Sequence, residues 1–189
     1  MTPPKKEVYV SFSAEVNPTS TEGLLRACSE LSNKGADAIH LMLTTPGGSV
    51  MHGFNIYHVL RALPCEIVTY NVGAVNSIGN VVFLAGDRRY AAEESTFMFH
   101  GVGFNVDGKV RLDERVLVER LDGLRADQRK IAQVLHDRAS FPDTTEIEKL
   151  FLNAATGDAQ FAKDRGIIDE IRQAKVPKGT TVIQLVFQR

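Results

Sequence analysis

The sequence predicts an α/β domain of repeated strand–helix units joined by right-handed crossovers. Two patterns carry that expectation. Short β-rich or continuously apolar runs recur at residues 7–12, 38–43, 65–70 and 96–99, and helix-spaced apolar positions fill the intervals after the first three. The composition agrees: 189 residues, 43% hydrophobic and 24% charged, suit one globular domain over residues 1–189, uninterrupted by linker, repeat or low-complexity tract.

Taken in order, Glu7-Val8-Tyr9-Val10-Ser11-Phe12 alternates as a strand does. Asn17-Pro18-Thr19-Ser20 is a helix-start cluster, followed by Leu24, Leu25, Cys28 and Leu31 at helical spacing and by Gly35 as a stop. The run at 38–43 is apolar without alternation, the pattern of a strand buried on both faces of a parallel sheet. After the turn Thr44-Thr45-Pro46-Gly47-Gly48, a helix is expected over 49–62, halted by Pro64. The strand at 65–70 leads into Gly73-Ala74-Val75-Asn76-Ser77-Ile78-Gly79 and an apolar helix through Val82 and Leu84; a short strand over 96–99 ends at His100. From 111 to 138 the chain changes character. Its first twenty residues carry eleven charges, yet Leu117, Leu121, Leu124, Ile131 and Leu135 form a narrow heptad seam on one long helix. Such a helix spans roughly 40 Å; it either lies across the sheet as an amphipathic helix or, as the narrow stripe favours, projects and is expected to bury its seam on another subunit. Short helices follow over 147–168, and 180–187 reads as a terminal strand.

Charge excludes several functions. The 22 Lys+Arg against 23 Asp+Glu leave a net charge of −1, which gathers neither nucleic acid nor an anionic membrane surface. No signal-peptide-like or membrane-spanning apolar run occurs. Cys28 and Cys65 lack ligand spacing, so neither a metal site nor a disulfide framework is expected; Cys28 reads as a small core residue, and the chain as cytoplasmic with reduced thiols.

Three features fall at the carboxyl ends of expected strands, where open α/β sheets place their sites. Pro46-Gly47-Gly48 turns sharply and leaves backbone N–H groups uncovered. Ser77 sits at a strand-to-helix transition, where it is either a helix N-cap or a nucleophile beside N–H groups able to hold an oxyanion. His100 ends a strand before Gly101-Val102-Gly103, while His40, His52, His58 and His136 read as packing or surface residues. An imidazole placed like His100 suits a general base.

In this order the three features resemble the Clp protease proteolytic subunit family of serine peptidases, built on the crotonase-like fold. Thr45-Pro46-Gly47-Gly48-Ser49-Val50 is similar to its glycine turn, Gly73-Ala74-Val75-Asn76-Ser77-Ile78-Gly79 to its nucleophile segment, and Phe97-Met98-Phe99-His100 to its histidine segment. Ala162-Lys163-Asp164-Arg165-Gly166-Ile167-Ile168-Asp169 is similar to its closing motif. The resemblance implies a serine endopeptidase with Ser77 as nucleophile, His100 as general base and the N–H groups of Gly48 and Ile78 as oxyanion hole, with no cofactor and no metal. It implies peptide or unfolded-protein substrates, and a homo-oligomer of stacked rings with the helix at 111–138 as handle between them.

Departures from the family pattern leave alternatives open. Counting back from Gly166 without gaps puts Leu150 at the position of the triad aspartate, with Asn153 as a weaker substitute and Asp143 and Asp158 less well placed. The competing readings are a catalytically weak or silent ring subunit that scaffolds an active paralogue, an acyl-CoA enzyme on the same fold, and a serine–lysine pair using Lys130. Where the family carries two tyrosines ahead of the glycine turn, this chain has His40 and Met42, and only residues 1–6 precede the first strand. Weak or absent binding of an ATP-driven Clp unfoldase is therefore expected.

Overall fold

Alternation in the first apolar run produces β1 (Glu7–Ser13), the first strand of a sheet whose helices lie between successive strands. The computed structural model describes residues 5–104, 108, 111 and 113–187. Helix α1 (Pro18–Asn33) starts at a capping box: Ser20 N–H donates to the Asn17 side chain and Asn17 N–H to the Ser20 hydroxyl, with Pro18 in the first turn. β2 (Ala38–Thr45) is buried along most of its length, as its unbroken apolar run requires. α2 (Val50–Ala62) returns the chain to β3 (Glu66–Asn76), and α3 (Gly79–Phe83) follows. β4 (Arg88–Ala91) and β5 (Thr96–Met98) come next, then the long α4 (Glu114–Arg138). The chain closes with α5 (Thr144–Leu152), β6 (Thr156–Asp158), α6 (Ala159–Asp164), β7 (Glu170–Ile171) and β8 (Val182–Leu185).

The sheet runs β6-β5-β3-β2-β1-β8, with β4 pairing β3 and β7; every pair is parallel except β5–β6. β3 extends well beyond the expected 65–70. Its first part pairs with β4 at Val68–Asn71, and its last residues, 74–76, pair with β5 at Thr96–Met98. Between these parts the β2–β3 register jumps from Leu43↔Asn71 to Thr45↔Val75, so two more residues are spent on β3 than on β2. The jog is secured by side chains. Thr44 hydroxyl donates to Ala74 O and accepts from Ala74 N–H, while the buried Asn71 amide donates to Thr96 O and accepts from Gly73 N–H. β3 thereby changes partner along one edge, and this delivers its carboxyl end beside that of β5.

α4 divides into two parts. Ile131, Ala132 and Leu135 are buried in this chain's own core, which corrects the expectation that the whole seam awaits another subunit. Leu117, Val118 and Leu121 remain 48%, 52% and 44% exposed, so the unpartnered apolar stripe is confined to the first half.

His40 on β2 is buried, stacked on Tyr9 with ring centroids 4.3 Å apart. Burial lowers its pKa from 6.5, with Glu7 and Glu66 opposing and Arg88 and Arg172 reinforcing the shift. A folded-state pKa below the unfolded one means the unfolded chain protonates first as pH falls. His40 therefore contributes stability that is whole above about pH 6.5 and declines below it. Urea midpoints are expected to drop between about pH 7 and 5, and His40→Phe to flatten the drop; an unchanged slope in the variant would reject this.

Candidate active site

Three carboxyl-terminal strand ends meet at one place: the turn after β2, the elbow after β3 and the end of β5. At the elbow Ser77 holds φ at +55°, one of two non-glycine residues with positive φ among those described. That conformation costs of order 1–3 kcal/mol and persists only where surroundings impose it. Here they do. Ser77 N–H donates to Met98 O (2.8 Å), and the buried Asn80 amide donates to both Ser77 O and Met98 O (2.9 Å each). The serine is thus tied to the strand that leads to His100 two residues later.

The glycine turn is pressed against the elbow. Gly47 has φ +92°, and a Cβ there would lie 2.7 Å from Ser77 Cβ and 2.8 Å from Asn76 O. Gly48, at φ +141°, forms an isolated parallel bridge with Val16: Val16 N–H donates to Gly47 O and Ser49 N–H to Val16 O. These bonds use the Gly47 carbonyl and the Ser49 N–H, the groups on either side of Gly48. Ile78 is fully buried as the N-cap of α3, and its side chain occupies the space a Cβ on Gly53 would need. Gly53 therefore lets α2 approach α3 closely enough to fix the residue after the serine.

His100 is exposed, and its Nδ1 lies 2.7 Å from Gly101 O. A carbonyl oxygen only accepts, so the network assigns the proton to Nδ1 and leaves Nε2 with its lone pair. The tautomer a general base requires is therefore fixed by the chain's own backbone.

The antiparallel register corrects one expectation. β5 and β6 pair Thr96↔Asp158, Phe97↔Gly157 and Met98↔Thr156, and Phe99 N–H continues the ladder to Ala155 O at 2.8 Å. One step further, His100 falls opposite Ala154, not Leu150. Leu150 is half-buried on α5, packed against the core, and its carbonyl accepts from Ala155 N–H. The ungapped count missed this because nothing in the sequence announces so short a strand as β6. Asn153 is exposed at the C-cap of α5, next in sequence to Ala154. Asp143 and Asp158 are the N-caps of α5 and α6, accepting from Glu146 N–H and Phe161 N–H. Ala154 itself holds φ at +45°.

Cys28 and Lys130 are the other candidate reactive side chains. Cys28 is buried and free, and burial pushes its thiol up to about 12. Lys130 is exposed on α4 and paired with Asp127 at 3.1 Å. Among the described residues no group of three His, Cys, Asp or Glu could hold a metal ion, and no helix is long and apolar enough to cross a membrane. Asn80 and Asn71 were not singled out by sequence; an asparagine directly after the apolar run at 65–70 and another within the apolar helix after Ser77 were the available signal. Asn80→Leu is expected to cost about 1–2 kcal/mol in unfolding free energy, since the carbonyls of Ser77 and Met98 each lose one of their two donors and keep a backbone N–H. Denaturant titration measures it, and a loss below about 0.5 kcal/mol would show that the amide is dispensable.

A strained serine, a glycine turn and a strand-end imidazole are the parts that acyl-transfer hydrolysis needs. The comparisons with known proteins point the same way. The family model for Clp protease matches residues 5–175, and the chain belongs to that family. It is 27% identical over 170 residues to the ATP-dependent Clp protease proteolytic subunit 3 of Rhodococcus jostii, covering 86% of this chain and 79% of the relative. It is 31% identical over 137 residues to proteolytic subunit 2 of Corynebacterium glutamicum, covering 70% and 65%. A solved ClpP1 variant from Listeria monocytogenes superposes with a TM-score of 0.73 at 20% identity, covering 90% of this chain and 92% of that one, and shares the fold. The architecture is accordingly the crotonase-like one of Clp proteolytic subunits, and the family is one of serine peptidases.

Proposed function

We propose that this chain is a serine endopeptidase in which Ser77 is the nucleophile and His100 the general base. The observation that carries the reading is the left-handed Ser77, held by Met98 O and Asn80 to the strand that ends at His100. Ser77 Oγ attacks the peptide carbonyl carbon as His100 Nε2 takes its proton. The carbonyl oxygen becomes an oxyanion, accepting from the N–H groups of Gly48 and Ile78. Collapse breaks the C–N bond, and the imidazolium returns the proton to the leaving amine. Water, deprotonated by the same nitrogen, then releases the carboxylate and restores Ser77. Asn153 and the Gly101 carbonyl supply what orientation the imidazole receives, so turnover is slow for the class.

Intact-mass analysis after fluorophosphonate treatment tests this directly: one adduct on the native chain, none on Ser77→Ala. Persistence of the adduct in Ser77→Ala would assign the chemistry to another residue.

A silent scaffolding subunit is the second reading, favoured by Ala154 opposite His100. A native chain that never forms the adduct under conditions that label an active serine peptidase would establish it.

The exposed half of α4 is proposed as the assembly element of a ring-shaped homo-oligomer enclosing the sites. Burying each leucine there is worth about 1.5–3 kcal/mol. Leu117→Asp, Leu121→Asp and Leu124→Asp combined are expected to split the assembly into smaller species in light scattering; an unchanged mass would place the contacts elsewhere. Peptides and unfolded chains are the proposed substrates, with weak or no binding of a Clp unfoldase. Efficient ATP-dependent degradation of a tagged folded protein with such an unfoldase would overturn that last point.

A further inference from the structure

Four strand ends follow one another across the sheet at the site: His100 after β5, Ser77 after β3, the glycine turn after β2 and Glu15 after β1. The proposed reaction uses the first three and leaves Glu15 without a role. The bridge between Val16 and Gly48 brings this side chain to the turn, where a Cβ on Gly48 would lie 3.0 Å from Glu15 Cγ. Glu15 therefore packs beside the residue whose N–H is the proposed oxyanion donor.

A cavity of about 740 Å³ opens there, over the carboxyl ends of β1, β2 and β3. Pro46 and Asn76 line it, and they directly precede Gly47 and Ser77. A peptide held at Ser77 thus has room nearby for one of its side chains. Phe187 forms another wall, its ring edge-on to Phe12 at 5.8 Å between centroids. It is seated on Gly23, where a Cβ would come within 2.7 Å of the ring. This wall follows β8, beyond the stretch that the family model matches.

Charge in the cavity is of one sign. Glu15 is the charged member of the lining; it is exposed and forms no ion pair among the described residues. The other walls are neutral: Asn76 offers an amide oxygen, and Ala14, Ala74 and Phe187 offer apolar surface. The nearby start of α1 adds little positive potential, because Pro18 has no N–H and Ser20 N–H is taken by Asn17. The occupant that fits is a flexible apolar stem ending in a cation.

We propose that this cavity binds the side chain of a lysine or arginine in the substrate peptide, its stem along Ala14, Ala74 and Phe187 and its cation paired with Glu15. That makes Glu15 a specificity-determining residue, a role that rests on the serine-peptidase reading of Ser77. Peptides with a basic residue beside the scissile bond are then the preferred substrates.

Binding and cleavage separate the two readings. Fluorescence anisotropy on Ser77→Ala measures labelled, alanine-rich peptides that differ at one central residue: lysine, norleucine or glutamate. The lysine peptide is expected to bind about fivefold tighter than norleucine, the scale of an exposed ion pair, with glutamate weakest. Adding Glu15→Gln, a change at an exposed position, should bring lysine and norleucine together, and Glu15→Lys should put glutamate ahead of lysine. With Ser77 intact, mass spectrometry of a digested unfolded protein should show cuts beside lysine and arginine, a bias lost in Glu15→Gln. Equal binding of the lysine and norleucine peptides, no saturable binding of the lysine peptide at millimolar concentration, or an unchanged preference in Glu15→Gln would overturn the proposal. Glu15-dependent binding of the lysine peptide without any cleavage would uphold the cavity and reject the peptidase reading alone.

Discussion

Ala154→Asp is expected to accelerate acylation of Ser77 by about two orders of magnitude. The β5–β6 register carries position 154 opposite His100, so a carboxylate there stands within one strand spacing of the imidazole. The backbone favours the change as well. Ala154 already holds φ at +45°, a region that aspartate and asparagine enter more readily than alanine. The new carboxylate would take the Nδ1 proton bond from Gly101 O and stabilise the imidazolium that forms during attack. Loss of that carboxylate costs about 10⁴-fold in the best-studied serine protease, which sets the ceiling for its restoration. Ala154→Asn should recover only part of the gain, because it orients without charge. Rates of fluorophosphonate adduct formation measure all three proteins. Equal rates for Ala154→Asp and the native chain would show that position 154 does not reach the imidazole.

His100→Ala should lower peptide hydrolysis by about 10³- to 10⁴-fold while leaving the fold intact. The side chain is exposed and bonds only to the neighbouring Gly101 O, so its removal opens no cavity and orphans no buried group. Activity and stability are therefore separable at this position. Circular dichroism and urea midpoints should match the native chain while turnover collapses. Hydrolysis within tenfold of native would instead direct attention to Lys130, whose replacement by Met is otherwise expected to be silent.

Much of this architecture was legible because periodicity reports burial. The unbroken run at 38–43 gave a doubly covered strand, Asn17-Pro18 gave a helix start, and Ser77 between glycines gave an elbow. The parts that escaped are those whose cause lies far along the chain. β4, β6 and β7 contain four, three and two residues, too short for any pattern, and exist because β3, β5 and β4 offer open edges. The jog in β3 depends on Thr44, thirty positions from the Ala74 it grips. The error at Leu150 has the same origin: a count along the sequence does not see which residue a hidden strand brings across. His40 is a packing residue, as its place in an apolar run implies, but the Tyr9 ring it stacks on comes from β1, which no local window spans.

The division of α4 has a kinetic consequence. Its carboxyl-terminal half is nailed to the core by Ile131, Ala132 and Leu135, whereas its first turns hold exposed leucines and depend on their own backbone bonds. In an isolated subunit the amides of 114–127 would then open and exchange with solvent quickly, and those of 131–138 slowly, within one continuous helix. Under the proposed assembly through the exposed half of α4, association is expected to erase that gradient by slowing only the first half. A single helix would then serve as an internal gauge of the proposed assembly, its fast end reporting the partner and its slow end reporting the fold.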